Sequence, residues 1–137
     1  MKADPIVLIV DDHTNFRRAL GDWLSIAFSS CKIEDAKSGE EALARIQINP
    51  PDVVITDNGL PGINGLELVR KIKVLSPETL VVVISTRQGK AYQEAALQAG
   101  ALDFINKLEV TSKLTPLLKN LLPTSTEAMK ESSIQNV

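Results

Sequence analysis

The sequence is poor in the residues that define many chemical classes. It holds one cysteine, Cys31. That excludes an internal disulfide and fits a reducing, cytosolic compartment; Cys31 reads as a small core residue at a strand edge. It holds one histidine, His13. With no second histidine to share a metal or relay, His13 reads as a loop side chain with no part in group transfer. Aromatics are few: one tryptophan, one tyrosine and three phenylalanines. An excess of charge of either sign is nearly absent, since 15 Lys and Arg against 17 Asp and Glu leave a formal net charge of -2. Such a chain offers no basic face, so no contact with nucleic acid is expected of this domain. Long hydrophobic runs are missing too. The apolar run Ile6–Val10 stops at two aspartates, too short for a signal peptide or a membrane span, so a cytoplasmic location without a membrane partner is expected. No glycine-rich loop follows that run, which removes support for a nucleotide- or flavin-binding site. There are no repeats.

What is present is a regular alternation. The chain has 137 residues with 44% hydrophobic content, enough for one domain with a filled core. Apolar runs predict strands at Ile6–Val10, Lys32–Ala36, Val53–Thr56, Leu80–Ser85 and Leu102–Asn106. Amphipathic stretches lie between them. Phe16, Leu20, Trp23, Leu24 and Ala27 recur at helical spacing, which places Trp23 in the core. Ser38 and Glu41 form a capping box ahead of Ala42, Leu43 and Ile46. Leu66, Leu68, Val69 and Ile72 follow Gly65. Lys90–Ala99 is alanine-rich and stops at Gly100, a natural C-cap. The Arg17-Arg18 pair reads as a solvated face. Strict alternation of strands and helices implies a parallel sheet covered on both faces.

The last helix carries a conflict. Leu114, Leu117, Leu118, Leu121 and Leu122 form a stripe that predicts a helix from about Lys113, yet Thr115-Pro116 reads as an N-cap followed by proline. A short late helix and a kinked longer one both remain open. Residues 1–122 are expected to form the domain and 123–137 a polar tail or interdomain linker.

Ligands of an open parallel sheet sit beyond the carboxyl ends of its strands. Asp11, Asp12, Asp57, Ser85 and Lys107 occupy those ends here. If the first and third strands are neighbours, three carboxylates meet, and only a cation or a proton relieves their repulsion. Mg²⁺ suits such a set of hard oxygens. A metal clamp, a nucleophilic carboxylate, a hydroxyl and an amine are the inventory of phosphoryl transfer.

At this point the chain resembles the receiver domain of two-component response regulators, over roughly residues 5–122. The resemblance rests on Val-Asp-Asp-His at 10–13, Asp-Asn-Gly-Leu-Pro-Gly-Ile-Asn-Gly at 57–65, Ile-Ser-Thr at 84–86 and Gly-Ala-Leu-Asp-Phe-Ile-Asn-Lys at 100–107. It implies a flavodoxin-like α/β fold with strand order 2-1-3-4-5. It implies Asp57 as phosphoacceptor, and Mg²⁺ held by Asp12, Asp57 and the Gly59 carbonyl, with Asp11 acting through water. It implies Lys107 as partner of the carboxylates and then of the phosphoryl group. Ser85 becomes the hydroxyl that moves to the phosphoryl group, and Phe104 the switch aromatic. The implied partners are a sensor histidine kinase or a histidine phosphotransfer protein, and a phosphorylation-dependent homodimer. Such a protein is a switch rather than an enzyme, catalysing only its own phosphorylation and dephosphorylation.

The chain departs from the family in places. Leu108 follows Lys107 where many receivers have proline, so a cis peptide is not expected. Thr86 replaces a usual alanine and narrows access to Asp57. Arg87 and Gly59 stand where the family tunes phosphoryl lifetime, which is expected to be unusual. The helix Lys90–Ala99 has few large anchors and is expected to be the mobile reporter of phosphorylation. Alternatives differ in output: the receiver half of a DNA-binding regulator whose helix-turn-helix domain lies outside this chain, or a degenerate receiver acting by constitutive binding. A phosphatase with Asp11 as nucleophile would need a second acid at position 13, where His13 stands.

Overall fold

The computed structural model describes residues 4–123. The tail expected over residues 123–137 lies, from Thr124 onward, outside the described residues. Five strands alternate with helices: β1 (Ile6–Val10), α1 (Thr14–Ala27), β2 (Lys32–Ala36), α2 (Gly39–Ile48), β3 (Val53–Asp57), α3 (Gly65–Leu75), β4 (Leu80–Ser85), α4 (Lys90–Ala99), β5 (Asp103–Asn106) and α5 (Thr115–Leu121). The strands form one parallel sheet in the order β2-β1-β3-β4-β5. This is the flavodoxin-like strand order expected from the resemblance. Among the described residues no helix is long and apolar enough to cross a membrane.

The all-apolar strands are buried on both faces, and their side chains alternate between two cores. Leu8, Val10, Val54, Val81 and Val83 pack against Ala42 and Ile46 of α2, Leu68, Val69 and Ile72 of α3, and Ala96 and Ala99 of α4. Val7, Ile9, Val53, Ile55, Val82 and Ile84 face the other way, onto Leu20 and Leu24 of α1, Phe28, and Leu118 of α5. A two-residue period with apolar groups on both phases is what a doubly covered sheet requires. Trp23 is only partly buried and packs at the margin of the second core, as does Cys31. Burial, and then the charge of Asp4, push the Cys31 thiol up from its ordinary pKa.

Local signals set the helix ends. Ser38 Oγ accepts the Glu41 N–H at 3.0 Å, while the Glu41 carboxylate reaches back to the Lys37 N–H at 3.2 Å, one residue beyond the expected return. Asn64 caps α3 by accepting the Glu67 N–H at 2.9 Å. Gly100 ends α4 in the left-handed region (φ 114°), and a Cβ there would lie 2.8 Å from Lys73 Cγ. Strand β5 begins at Asp103, one residue later than expected, although Leu102 N–H still bonds the Val81 carbonyl.

The end of the chain resolves the conflict at Pro116. Lys107–Glu109 is a 3₁₀ turn, Val110–Leu114 a π turn, and α5 follows directly. Thr115 is itself helical (φ -60°, ψ -47°), so it is not the extended N-cap read from the sequence. Its hydroxyl is buried without a hydrogen-bond partner. The widened turn brings the chain into Pro116, whose ring would clash with a carbonyl four residues earlier in a regular α-helix. No described peptide bond is cis.

Candidate functional site

The register alone brings the acids together. Val10 pairs with Thr56 across β1 and β3, so Asp11 and Asp57 emerge side by side. Asp57 is opposite Ile84, which puts Ser85 one step further along the same rim, and Lys107 follows the last residue of β5. Backbone bonds prolong the ladder past the strands: Asp11 N–H to the Ala36 carbonyl (3.1 Å) and Asn58 N–H to the Ile84 carbonyl (3.0 Å). The loop after Asp57 is then folded under Gly65, whose N–H bonds the Asn58 carbonyl. A Cβ on Gly65 would lie 2.6 Å from the Asp57 carbonyl oxygen and 2.7 Å from Asn58 Cα, so only glycine fits there without moving backbone.

Asp11, Asp12, Asp57 and His13 each offer a ligand atom within 4.8 Å of one another. Asp11 is fully buried and Asp57 is 5% exposed, while Asp12 reaches solvent. Lys107, itself buried, places Nζ 2.7 Å from Asp11 Oδ2 and 4.0 Å from Asp57 Oδ2. Asp11 Oδ2 has this ion pair but no hydrogen bond of good geometry. The ammonium also lies 4.3 Å from the centroid of the Phe16 ring, a cation–π contact. Burial pushes the Asp57 carboxyl above its ordinary pKa, and nearby Asp11 adds to this. Lys107, the Gly59 N–H and His13 pull the other way. Three acids beside a single buried ammonium make a donor set that fits a small divalent cation.

A cleft opens on this rim, lined by Asp57, Gly59, Ser85, Thr86, Arg87, Tyr92 and Lys107 among others. Ser85 is buried, and its Oγ accepts the Arg87 N–H at 3.0 Å. Thr86 is exposed at the mouth. Arg87 donates to the Tyr92 hydroxyl at 3.3 Å. Gly59 is open: a Cβ there would be 3.8 Å from Asp57 Oδ2, ordinary contact distance. Phe104 is half-buried on β5 and packs against the core shared with α4.

Two residues take places that the sequence reading did not give them. His13 was read as a loop bystander, yet its Nδ1 lies 3.0 Å from Asp11 Oδ1, 3.4 Å from Asp12 Oδ1 and 3.4 Å from Lys107 Nζ. Arg17 is not a solvated face. Its side chain is 11% exposed and donates to Asp35 Oδ2 and to the Asp11 carbonyl, both at 2.7 Å. A usable signal existed in its spacing, one helical turn past the acid pair, where the first turn of α1 must cross the ends of β1 and β2.

Comparison with known proteins gives likenesses over most of the chain. The family model described as response regulator receiver domain matches residues 7–119. The chain is 34% identical over 116 residues to the transcriptional activator protein ExaE of Pseudomonas putida, covering 85% of this chain and 54% of that protein. It is 39% identical over 115 residues to a protein-glutamate methylesterase/protein-glutamine glutaminase of Colwellia psychrerythraea, covering 83% of this chain and 29% of that one. The chain thus spans about half or less of the length of these relatives. Among solved structures, the signal receiver domain of NarL from Mycobacterium tuberculosis superposes with a TM-score of 0.79 at 27% identity, covering 88% of this chain and 97% of that one. The Vibrio cholerae chemotaxis protein CheY4 gives 0.78 at 27% identity, covering 88% of this chain and all of that one (100%).

Proposed function

The chain belongs to the response regulator receiver domain family of two-component systems, and on that footing we propose that it accepts a phosphoryl group on Asp57 from a histidine kinase or histidine phosphotransfer protein. The observation that carries this reading is the buried Asp57 carboxylate at the floor of an open cleft, beside a second buried acid and 4.0 Å from a buried ammonium. In the transfer, an Asp57 oxygen forms a bond to phosphorus as the donor's phosphorus–nitrogen bond breaks, and the leaving imidazole keeps the electron pair. Asp11, Asp12, Asp57 and the Gly59 carbonyl would hold Mg²⁺, which supplies charge neutralisation at the phosphoryl oxygens. Lys107, held on Asp11 at 2.7 Å, is close enough to pair with a phosphoryl group on Asp57. Ser85 gives up the Arg87 N–H to bond a phosphoryl oxygen, and Phe104 follows it inward. The new charge biases an existing two-state equilibrium in the surface built by α4, β5 and the final helix.

The domain spans residues 1–122, works in the cytoplasm, and turns over no substrate besides its own phosphoryl group. Some of its relatives, ExaE among them, are transcriptional regulators, and on that likeness we read it as the receiver part of a DNA-binding regulator that pairs as a phosphorylation-dependent homodimer through the last helix. Open Gly59 and the Arg87–Tyr92 pair flank Asp57 and set the phosphoryl lifetime; an Arg87→Glu variant with an unchanged dephosphorylation rate would count against that role.

The first test is intact mass after incubation with Mg²⁺ and a small phosphodonor, beside Asp57→Asn. One added phosphoryl group, requiring Mg²⁺ and absent in the variant, is expected. No addition from either the small donor or a phosphorylated histidine phosphotransfer protein would leave the degenerate receiver in its place. Repeated turnover of added phosphoesters would point to a phosphatase.

A further inference from the structure

Resting on the reading of these acids as a divalent-cation site, we infer that His13 is a nitrogen ligand in it, and that the site therefore takes a first-row transition cation such as Mn²⁺ more tightly than oxygen ligands alone would allow. The His13 backbone N–H donates to Asp11 Oδ1 at 2.8 Å, which folds the residue back over the acid pair. Its ring is largely exposed, yet Nδ1 turns inward to the carboxylates of Asp11 and Asp12. The same nitrogen lies 3.4 Å from Lys107 Nζ. One imidazole proton cannot satisfy two carboxylate oxygens and an ammonium at once, because the nitrogen either donates or accepts. A cation among them would satisfy the nitrogen and the oxygens together. Asp11 Oδ2, fully buried, has only the Lys107 ion pair at 2.7 Å and no hydrogen bond.

The donor chemistry decides which cation. Mg²⁺ takes oxygen and is indifferent to imidazole. Carboxylates with one imidazole suit first-row transition ions, whose affinity rises when a nitrogen replaces a water. Because ring and carboxylates are already gathered within 4.8 Å, little ordering remains to be done on binding.

His13 is the only histidine in the sequence, so any histidine nitrogen coupled to a bound ion is this one. The experiment uses tag-free protein loaded with Mn²⁺, pulsed electron paramagnetic resonance for nitrogen modulation, and titrations of Mn²⁺ and Mg²⁺ into wild type, His13→Ala and Asp12→Ala. Expected are a nitrogen modulation in wild type that is absent in His13→Ala, and a Mn²⁺ Kd raised at least about tenfold by that substitution while the Mg²⁺ Kd moves less than about twofold, since even outer-shell partners of a metal act on a tenfold scale. Mn²⁺ bound without nitrogen modulation, with a Kd indifferent to His13→Ala but weakened by Asp12→Ala, would overturn the inference and leave the acid site standing. If neither ion binds in a way that depends on Asp12, the cation site itself is wrong and the role of His13 falls with it.

Discussion

Lys107 holds two buried acids at once, and most of the site's electrostatics follows from it. Its ammonium is 2.7 Å from Asp11 and 4.0 Å from Asp57. Removing one partner of a buried pair leaves an uncompensated charge, so Lys107→Met is expected to lose about 3–5 kcal/mol in chelator. Added Mg²⁺ should stabilise that variant more than wild type, because a metal would replace the lost cation; urea titrations with and without Mg²⁺ measure both. Asp57 gives a pH prediction with a definite sign. Burial raises its folded pKa above the ordinary 3.8, so its carboxyl favours folding at low pH and opposes it once pH has risen through the folded value. Asp57→Asn cannot ionise. In chelator it should melt above wild type near neutral pH, with the gap closing as pH falls towards that ordinary value. A gap that stays constant through acid would contradict the assignment. That Asp11, Asp12, Asp57, Ser85 and Lys107 share one rim was legible because each ends a strand or follows one within two residues. Arg17 offered only its place one turn past the acid pair, since Asp35 lies 18 positions away, and His13 had no second histidine to point to a role, its contact with Lys107 spanning 94 positions.

At the scale of elements, α4 stands apart. It buries only Ala96 and Ala99, starts at Gly89 without a side-chain cap, and carries exposed Tyr92 and Leu97. Few buried apolar groups mean low local stability. Amide exchange is expected to be faster in α4 than in β3 or β4, and to change there when a phosphoryl mimic is bound; equal protection in both states would remove α4 as the reporter. The β3–α3 loop is the opposite case, rigid by contact. Gly65→Ala drives a methyl into the Asp57 backbone, and overpacking of this kind costs about 1–3 kcal/mol. Its thermal shift should come with slower phosphorylation, since the displaced backbone belongs to the acceptor. Strong local signals made some elements readable: the Ser38 cap, the Gly100 stop, the apolar runs of β1 and β4. The final segment was ambiguous because leucine spacing and proline geometry pulled in different directions. The π turn at Val110–Leu114 lets both hold, and nothing in the sequence marks it.

The whole molecule is two cores on either side of one sheet, and that division was readable from strands with no polar phase. Which strands are neighbours was not, because a parallel crossover leaves no short-range trace; that order came with the family resemblance. All five strands run the same way, so the molecule has poles. The acids, Ser85 and Lys107 sit at one, at or just beyond the strands' carboxyl ends. The other is built from turns such as Asn49-Pro50, both exposed. Seen by an engineer, this is a part with a working end and a handle. A short reporter peptide spliced between Asn49 and Pro50 should leave phosphorylation of Asp57 at its native rate, which labelling kinetics would check; the same splice between Asn58 and Gly59 should abolish it.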